Sequence, residues 1–309
     1  MKYFFKSTKI LNFLFLILIQ FHCASTILPI AIGWERGKAD LEKKAIQVDE
    51  FKIVYLEGGN PKGETVLFVH GFGADKDNWT RISKFFADDY HLVLVDLPGF
   101  GESDRIQELE YSHITQSNRL KKFVDLLGLK SFHIIGNSMG GAISGQFAFE
   151  NPNLVRSIVF LNAAGVKSPN PSDLSKELAA GRNPLIVESP EEFDRLINYT
   201  MVKPPYIPGP IKTYFGERAI ANADFNKKIL KDYRSIAYPL DPILSKINQQ
   251  ALVIWGDTDR VIDVSSTEVF EKKLKQSKIV IMKDCGHAPM IERPEETAGY
   301  ILAFLSNLQ

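Results

Sequence analysis

Gly136-Asn137-Ser138-Met139-Gly140 sets a serine between two glycines, each two positions away. The apolar strand-like IIGN precedes it, and the helix-forming MGGAISGQFAF follows it. A serine on so sharp a strand-to-helix turn has to adopt a strained backbone, and small residues two positions either side avoid clashes. Its hydroxyl then stands at the carboxyl end of a sheet, beside a helix N-terminus that favours negative charge. Such a hydroxyl can attack a carbonyl only if a base removes its proton.

Six histidines are available for that task. His22 is close to the amino terminus, and His91, His113 and His133 sit in or beside predicted strands and helices. His287, in Asp284-Cys285-Gly286-His287-Ala288-Pro289, follows the last strand-like run and so lies at the same end of the sheet as Ser138. The base needs a carboxylate to fix its tautomer and stabilise the imidazolium. Trp255-Gly256-Asp257-Thr258-Asp259 follows the penultimate strand and offers two. Asp259 is the first choice, because the turn after Gly256 can swing it toward His287; Asp257 stays open as the alternative. The order Ser, Asp, His along the chain is one of the known orders of such a triad.

His70-Gly71-Phe72-Gly73 ends another buried strand, and its glycines let a backbone N–H, that of Phe72, point at a substrate. With the N–H of Met139 it makes an oxyanion hole, in which one donor is typically worth about 3 kcal/mol. His70 itself reads as a residue that stabilises the turn.

Other chemistries find little support. Asp96-Leu97-Pro98-Gly99-Phe100-Gly101-Glu102-Ser103 holds a G-x-G without a third glycine at dinucleotide spacing, and there is no H-E-x-x-H, paired C-x-x-C or phosphate-binding loop. No cofactor and no metal are expected. Lys plus Arg number 37 and Asp plus Glu 37, so no overall field draws nucleic acid. The two cysteines, Cys23 and Cys285, do not form a disulfide framework; Cys285 reads as a small packing residue despite its closeness to His287.

The elements that must position these groups alternate. Strands are predicted at Phe51–Leu56, Glu64–His70, Tyr90–Asp96, Ser131–Asn137, Val155–Leu161, Gln250–Trp255 and Lys278–Met282, with helical spacing at Trp79–Phe86, His113–Leu127, from Met139, and Glu295–Leu305. Continuous apolar runs such as ETVLFVH and YHLVLVD suit strands buried on both faces. The pattern implies an α/β fold, with a mostly parallel sheet and helices on both faces. From about Val166 to Ser245 the rhythm breaks into a proline-rich stretch with helical segments at Pro190–Val202 and Ala219–Tyr233. This reads as a cap over one end of the sheet, since Phe193, Tyr199, Tyr206, Tyr214 and Phe215 suit packing rather than a disordered linker.

The amino terminus carries Lys2, Lys6 and Lys9 and then the apolar run ILNFLFLILIQF at Ile10–Phe21. A basic start and an apolar run have the layout of an export signal. Three readings stand: cleavage after Ser25, lipid attachment at Cys23, and an uncleaved membrane anchor. Each puts the body of the protein outside the cytoplasm, whether periplasmic, secreted or membrane-anchored.

The segments HGFG, DLPGFGES, GNSMGG and GHAPMIERPEE together resemble the α/β-hydrolase superfamily across about Phe51 to Leu305. Within it, Glu35–Leu41 (ERGKADL), Gly136–Gly145 and Lys203–Pro208 (KPPYIP) are similar to exported cold-active bacterial lipases and esterases. The resemblance implies an α/β-hydrolase fold with a mainly helical cap, and a serine carboxylester hydrolase that works through an acyl-enzyme without a cofactor. It implies lipid or shorter acyl esters as substrates, and carries the triad onto Ser138, Asp259 and His287. The domain expectation is a leader over 1–25, a core over 26–165 and 246–309, and a cap over 166–245. Two other readings are weighed: a carbon–carbon bond hydrolase of ring-cleavage products, and a non-catalytic binding module on the same fold.

Overall fold

The computed structural model describes Ile30 and residues 32–308. The expected leader, residues 1–25, lies outside the described residues. Among those described, no helix is long and apolar enough to cross a membrane.

Eight strands form one sheet in the order β1-β2-β4-β3-β5-β6-β7-β8. They are β1 Glu42–Val48, β2 Phe51–Gly59, β3 Glu64–Val69, β4 Tyr90–Val95, β5 Phe132–Asn137, β6 Val155–Leu161, β7 Gln250–Gly256 and β8 Ser277–Met282. From β4 onward across the sheet every pairing is parallel, while β2 runs antiparallel to both β1 and β4. The mostly parallel sheet is therefore as expected, with β1 as an addition that the sequence reading lacked. Its residues EKKAIQV are largely exposed, so β1 has no apolar run to betray it.

The central strands owe their continuous hydrophobicity to burial on both faces. Leu67 and Val69 of β3 point into one core with Val93, Ile134 and Phe160. Val66 and Phe68, one residue out of phase, point into the other with Leu92, Ile135 and Val159. Helices His113–Leu126 and Met139–Glu150 cover the first face, and the terminal helix Pro294–Ser306 covers the second.

The chain leaves β3 toward β4 on one side and continues from β5 toward β6 on the other. Diverging connections of this kind open a crevice beyond the carboxyl ends of β3 and β5. Between β6 and β7 come four α-helices, Asp173–Ala179, Pro190–Thr200, Gly209–Ala221 and Ala223–Tyr233. Two start on serine caps: the Ser172 hydroxyl accepts from the Ser175 N–H, and the Ser189 hydroxyl from the Glu192 N–H, just before Pro190.

Candidate active site

Ser138 occupies the turn between β5 and the helix Met139–Glu150, with φ 53° and ψ −121°. No regular element uses that conformation, and a non-glycine residue holds it only where its surroundings over-determine it. The surroundings are visible in the glycines. A Cβ on Gly136 would stand 2.4 Å from the Gly140 carbonyl oxygen, and one on Gly140 would stand 2.3 Å from that of Val69. The two glycines thus let strand, turn and helix close on one another and on β3, with Ser138 at the apex.

The HGFG segment lies against this turn. A Cβ on Gly71 would meet the Ser138 Cβ at 3.1 Å. His70 is fully buried; its Nδ1 donates to the Gly71 carbonyl at 2.8 Å, and its Nε2 accepts from the Leu97 N–H at 3.1 Å. Burial lowers its pKa to about 4, so the ring is neutral and both nitrogens are committed to the turn. Among the described residues the N–H groups of Phe72 and Met139 have no hydrogen-bond acceptor. Two backbone donors near the Ser138 turn are therefore unspent, one in the loop after β3 and one at a helix N-terminus.

His287 and Asp259 reach the same rim from the loops after β8 and β7. Nδ1 of His287 lies 2.8 Å from Oδ2 of Asp259. The other carboxylate oxygen of Asp259 accepts from the Val261 and Ile262 N–H groups at 2.8 and 3.0 Å, and its side chain has no exposed surface. Four donors around one buried carboxylate satisfy its lone pairs and fix its plane: the fourth is Asn162 Nδ2, 2.7 Å from Oδ2. Asp257, the alternative acid, is exposed and accepts from the Thr258 hydroxyl instead. With Nδ1 occupied, Nε2 of His287 is the nitrogen left for Ser138. Among the described residues neither Nε2 nor the Ser138 hydroxyl has a hydrogen bond within 3.5 Å, although both groups line one cavity. Catalytic contacts of this type commonly tighten only when substrate is bound.

Among the described residues, His91 bonds Glu57 and Thr65 and His133 bonds Ser157 and Glu64, while His113 is buried with its Nδ1 unpartnered; His22 lies outside the described residues. Cys285 is buried beside Glu292, and burial pushes its thiol up to about 12, in keeping with a packing residue.

Three polar residues that the sequence reading passed over hold the arrangement. Asn162, at φ 47° just beyond β6, donates to Asp259 and to the Gly286 carbonyl. Asn137 donates to the carbonyls of Leu161 and His287, tying the serine turn to the histidine loop. Glu292 accepts from the N–H groups of Gly286, Val202 and Lys203 at 2.9, 3.2 and 2.9 Å. The available signal for Asn162 was a polar residue placed directly after the apolar run VRSIVFL, at the rim where the chemistry gathers.

The cavity measures about 600 Å³, within the usual range for a small-molecule site. Ser138, His287 and Phe72 line it together with Phe193, Leu196, Ile197, Ile207, Ile211 and Phe215, apolar residues from the segment between β6 and β7. Trp34 and Tyr206 line it too while 65% and 89% exposed, so they mark where it meets solvent.

Known proteins match most of the chain. A family model described as the alpha/beta hydrolase fold matches residues 64–185. Lipase 1 of Psychrobacter immobilis is 37% identical over 90% of this chain and 88% of its own length, and Lipase 3 of Moraxella sp. (strain TA144) is also 37% identical, over 90% and 89%. Among solved structures, a membrane phospholipase A described as a bacterial virulence factor is 42% identical, covers 98% of this chain and 99% of that chain, and has a TM-score of 0.92. The chain belongs to the α/β-hydrolase family, with lipases among its relatives, and is a carboxylic ester hydrolase.

Proposed function

We propose that the chain hydrolyses lipid carboxylic esters through a Ser138–His287–Asp259 triad and an acyl-enzyme. His287 takes the Ser138 proton as the hydroxyl attacks the ester carbonyl and returns it to the departing alcohol, while Asp259 orients the ring and stabilises the imidazolium. The N–H groups of Phe72 and Met139 hold the developing oxyanion. Water, activated by the same imidazole, then releases the acid. The observation that carries the reading is the 2.8 Å contact between His287 Nδ1 and Asp259 Oδ2 beside a serine held at φ 53° in the same cavity.

Residues 166–245 serve as a cap that receives the acyl chain, over a core of 26–165 and 246–309. Supporting this, aromatic and branched side chains dominate the wall contributed by that segment. Residues 1–25 direct the protein out of the cytoplasm and hold or deliver it at a membrane, and the exposed Trp34 and Tyr206 set the mouth of the cavity toward the lipid surface.

Ser138→Ala tests the triad. The variant should keep the wild-type melting profile and lose p-nitrophenyl ester turnover and fluorophosphonate labelling. Retained turnover would sink the proposal. A non-catalytic module would leave Ser138 of the wild type unlabelled, and a carbon–carbon hydrolase would prefer a ring-cleavage dienoic acid over a triglyceride.

A further inference from the structure

The Phe72 N–H belongs to a span, residues 70–75, that lies in neither strand nor helix. Gly71 and Gly73 fall within it, and Gly73 sits at φ 68°. A backbone donor on such a span stays aimed only if its surroundings hold it. Both ends of the span are tied to neighbouring residues just past β4. At the start, the Leu97 N–H donates to Nε2 of His70 at 3.1 Å. At the far end, Lys76 grips Asp96 twice: its own N–H donates to Oδ1 at 2.7 Å, and its ammonium donates to Oδ2 at 2.8 Å. Between the two ties the Phe72 ring meets Phe100, of the same turn, edge-on at 6.0 Å.

The side chains of Lys76 and Asp96 have no exposed surface. Glu102 also accepts from the ammonium, at 2.9 Å, while its own N–H donates to Oδ2 of Asp96 at 2.8 Å. The turn closes tightly on this carboxylate: a Cβ on Gly101 would stand 2.1 Å from the Asp96 Cγ. Burying two charges takes back most of what their attraction gives, so an apolar pair of similar volume would serve stability about as well. What the ion pair adds is direction, because each charge-assisted hydrogen bond fixes a length and an angle. Lys76 does not line the cavity, although Asp75 and Asp77 on either side of it do. Its influence on a substrate therefore runs through the loop.

We infer that Lys76 is a positioning residue of the oxyanion hole: clamped on Asp96, it fixes the far end of the Gly71–Asp75 span and with it the direction of the Phe72 N–H. The inference rests on the ester-hydrolase reading, in which that N–H and the one of Met139 receive the carbonyl oxygen. Its consequence is a split between two kinds of binding. Loss of the ammonium weakens the contacts that strengthen as the oxyanion forms, and leaves the binding of the chain in the apolar part of the cavity as it was.

The test compares two inhibitors of the full-length protein that share an alkyl chain. An alkyl trifluoromethyl ketone takes the Ser138 oxygen at its carbonyl carbon, the hydroxyl proton passes to His287, and the carbonyl electron pair moves onto the oxygen that the two N–H groups receive. The matching trifluoromethyl carbinol fills the same space without that bond. The readout is the ratio of the two inhibition constants, which does not depend on how much of a sample is folded. Lys76→Met keeps the length of the side chain and removes the ammonium. It should weaken the ketone by about tenfold or more, the loss expected when an oxyanion donor is displaced rather than deleted, and leave the carbinol within about twofold. The kcat for esters should fall with the ketone affinity while KM holds. Methionine leaves Asp96 buried without its cation, so this variant should also melt earlier. Glu102→Gln spares the buried pair, removes one charged acceptor from the ammonium, and should show the same split at about threefold. A ratio within about twofold of the wild type in Lys76→Met, or in Glu102→Gln should the first not fold, overturns the inference. Equal weakening of ketone and carbinol overturns it too, since Lys76 would then support the whole cavity. A wild type that binds the ketone no more tightly than the carbinol would instead refute the oxyanion reading, and the inference with it.

Discussion

The side-chain amide of Asn162 donates to Oδ2 of Asp259 at 2.7 Å, the same oxygen that faces Nδ1 of His287. A carboxylate that is to hold an imidazole in one orientation must not rotate, and Asn162 stands opposite His287 as a second tether. Its own Oδ1 is buried without a partner, so the residue is placed there at some cost to stability. Asn162→Ala removes a hydrogen bond to a charged group, worth about 1.5–3 kcal/mol. We expect kcat to fall by about ten- to a hundredfold with KM nearly unchanged, since nothing that binds the acyl chain is altered. A rise in KM at constant kcat would show that Asn162 supports the pocket rather than the triad.

The glycines of the serine turn make a separate prediction. A Cβ on Gly136 would sit 2.4 Å from the Gly140 carbonyl oxygen and 2.5 Å from the Ser144 hydroxyl, both inside packed structure. Backbone, unlike the far end of a side chain, cannot step aside. Gly136→Ala should therefore cost about 2–4 kcal/mol in urea unfolding, the range of overpacking and strain in a core. Ester turnover should fall with it, because the turn that lifts Ser138 to φ 53° is the part that must shift. Wild-type stability in this variant would mean that the turn tolerates another geometry.

His70 predicts a pH dependence of stability. Burial lowers its pKa from 6.5 to about 4. Between those values the unfolded chain binds a proton that the folded one does not, so stability rises with pH there and is lost as pH falls from about 6.5 toward 4. At about 1.4 kcal/mol per pKa unit the loss is on the order of 3 kcal/mol. Burial lowers His113 and His133 too and adds to the same slope. Urea titrations at several pH values should show His70→Asn losing part of this slope relative to the wild type. Parallel slopes would refute the assignment.

The positions of these groups differ in how far the chain itself announces them. Gly136, Ser138 and Gly140 are legible because steric rules demand those residue types at that spacing. Asp259 and His287 follow because each sits just beyond an apolar run, which pins it to the carboxyl end of a parallel strand. Asn162 obeys the same rule but belongs to no pattern, so only its contact with Asp259 reveals it. Strand β1 was hidden for a different reason: it is an exposed edge strand, joined to β2 by pairings such as Ile46 with Ile53, and burial does not shape its composition. In the segment between β6 and β7, Pro190–Thr200 and Ala223–Tyr233 show amphipathic spacing, whereas Gly209–Ala221 begins Gly-Pro and carries no apolar stripe to mark it.

Glu292 connects the histidine loop to the segment that follows Pro190–Thr200. Its carboxylate accepts from Gly286, next to His287, and from Val202 and Lys203. The His287 N–H donates in turn to the Thr200 carbonyl at 2.6 Å, and a Cβ on Gly286 would stand 2.5 Å from that same oxygen. Backbone therefore meets backbone here, and any movement of the Thr200–Lys203 strap is felt at His287. Glu292→Ala removes three charge-assisted hydrogen bonds at once, and the strap then depends on the single bond at Thr200. We expect stability to fall by about 2 kcal/mol or more and kcat to fall for short and long acyl esters alike. Glu292→Gln, which retains an acceptor of the same shape, should recover most of the stability and part of the rate. If Glu292→Ala instead slows only long-chain esters, the strap acts on acyl-chain binding and not on the placement of His287.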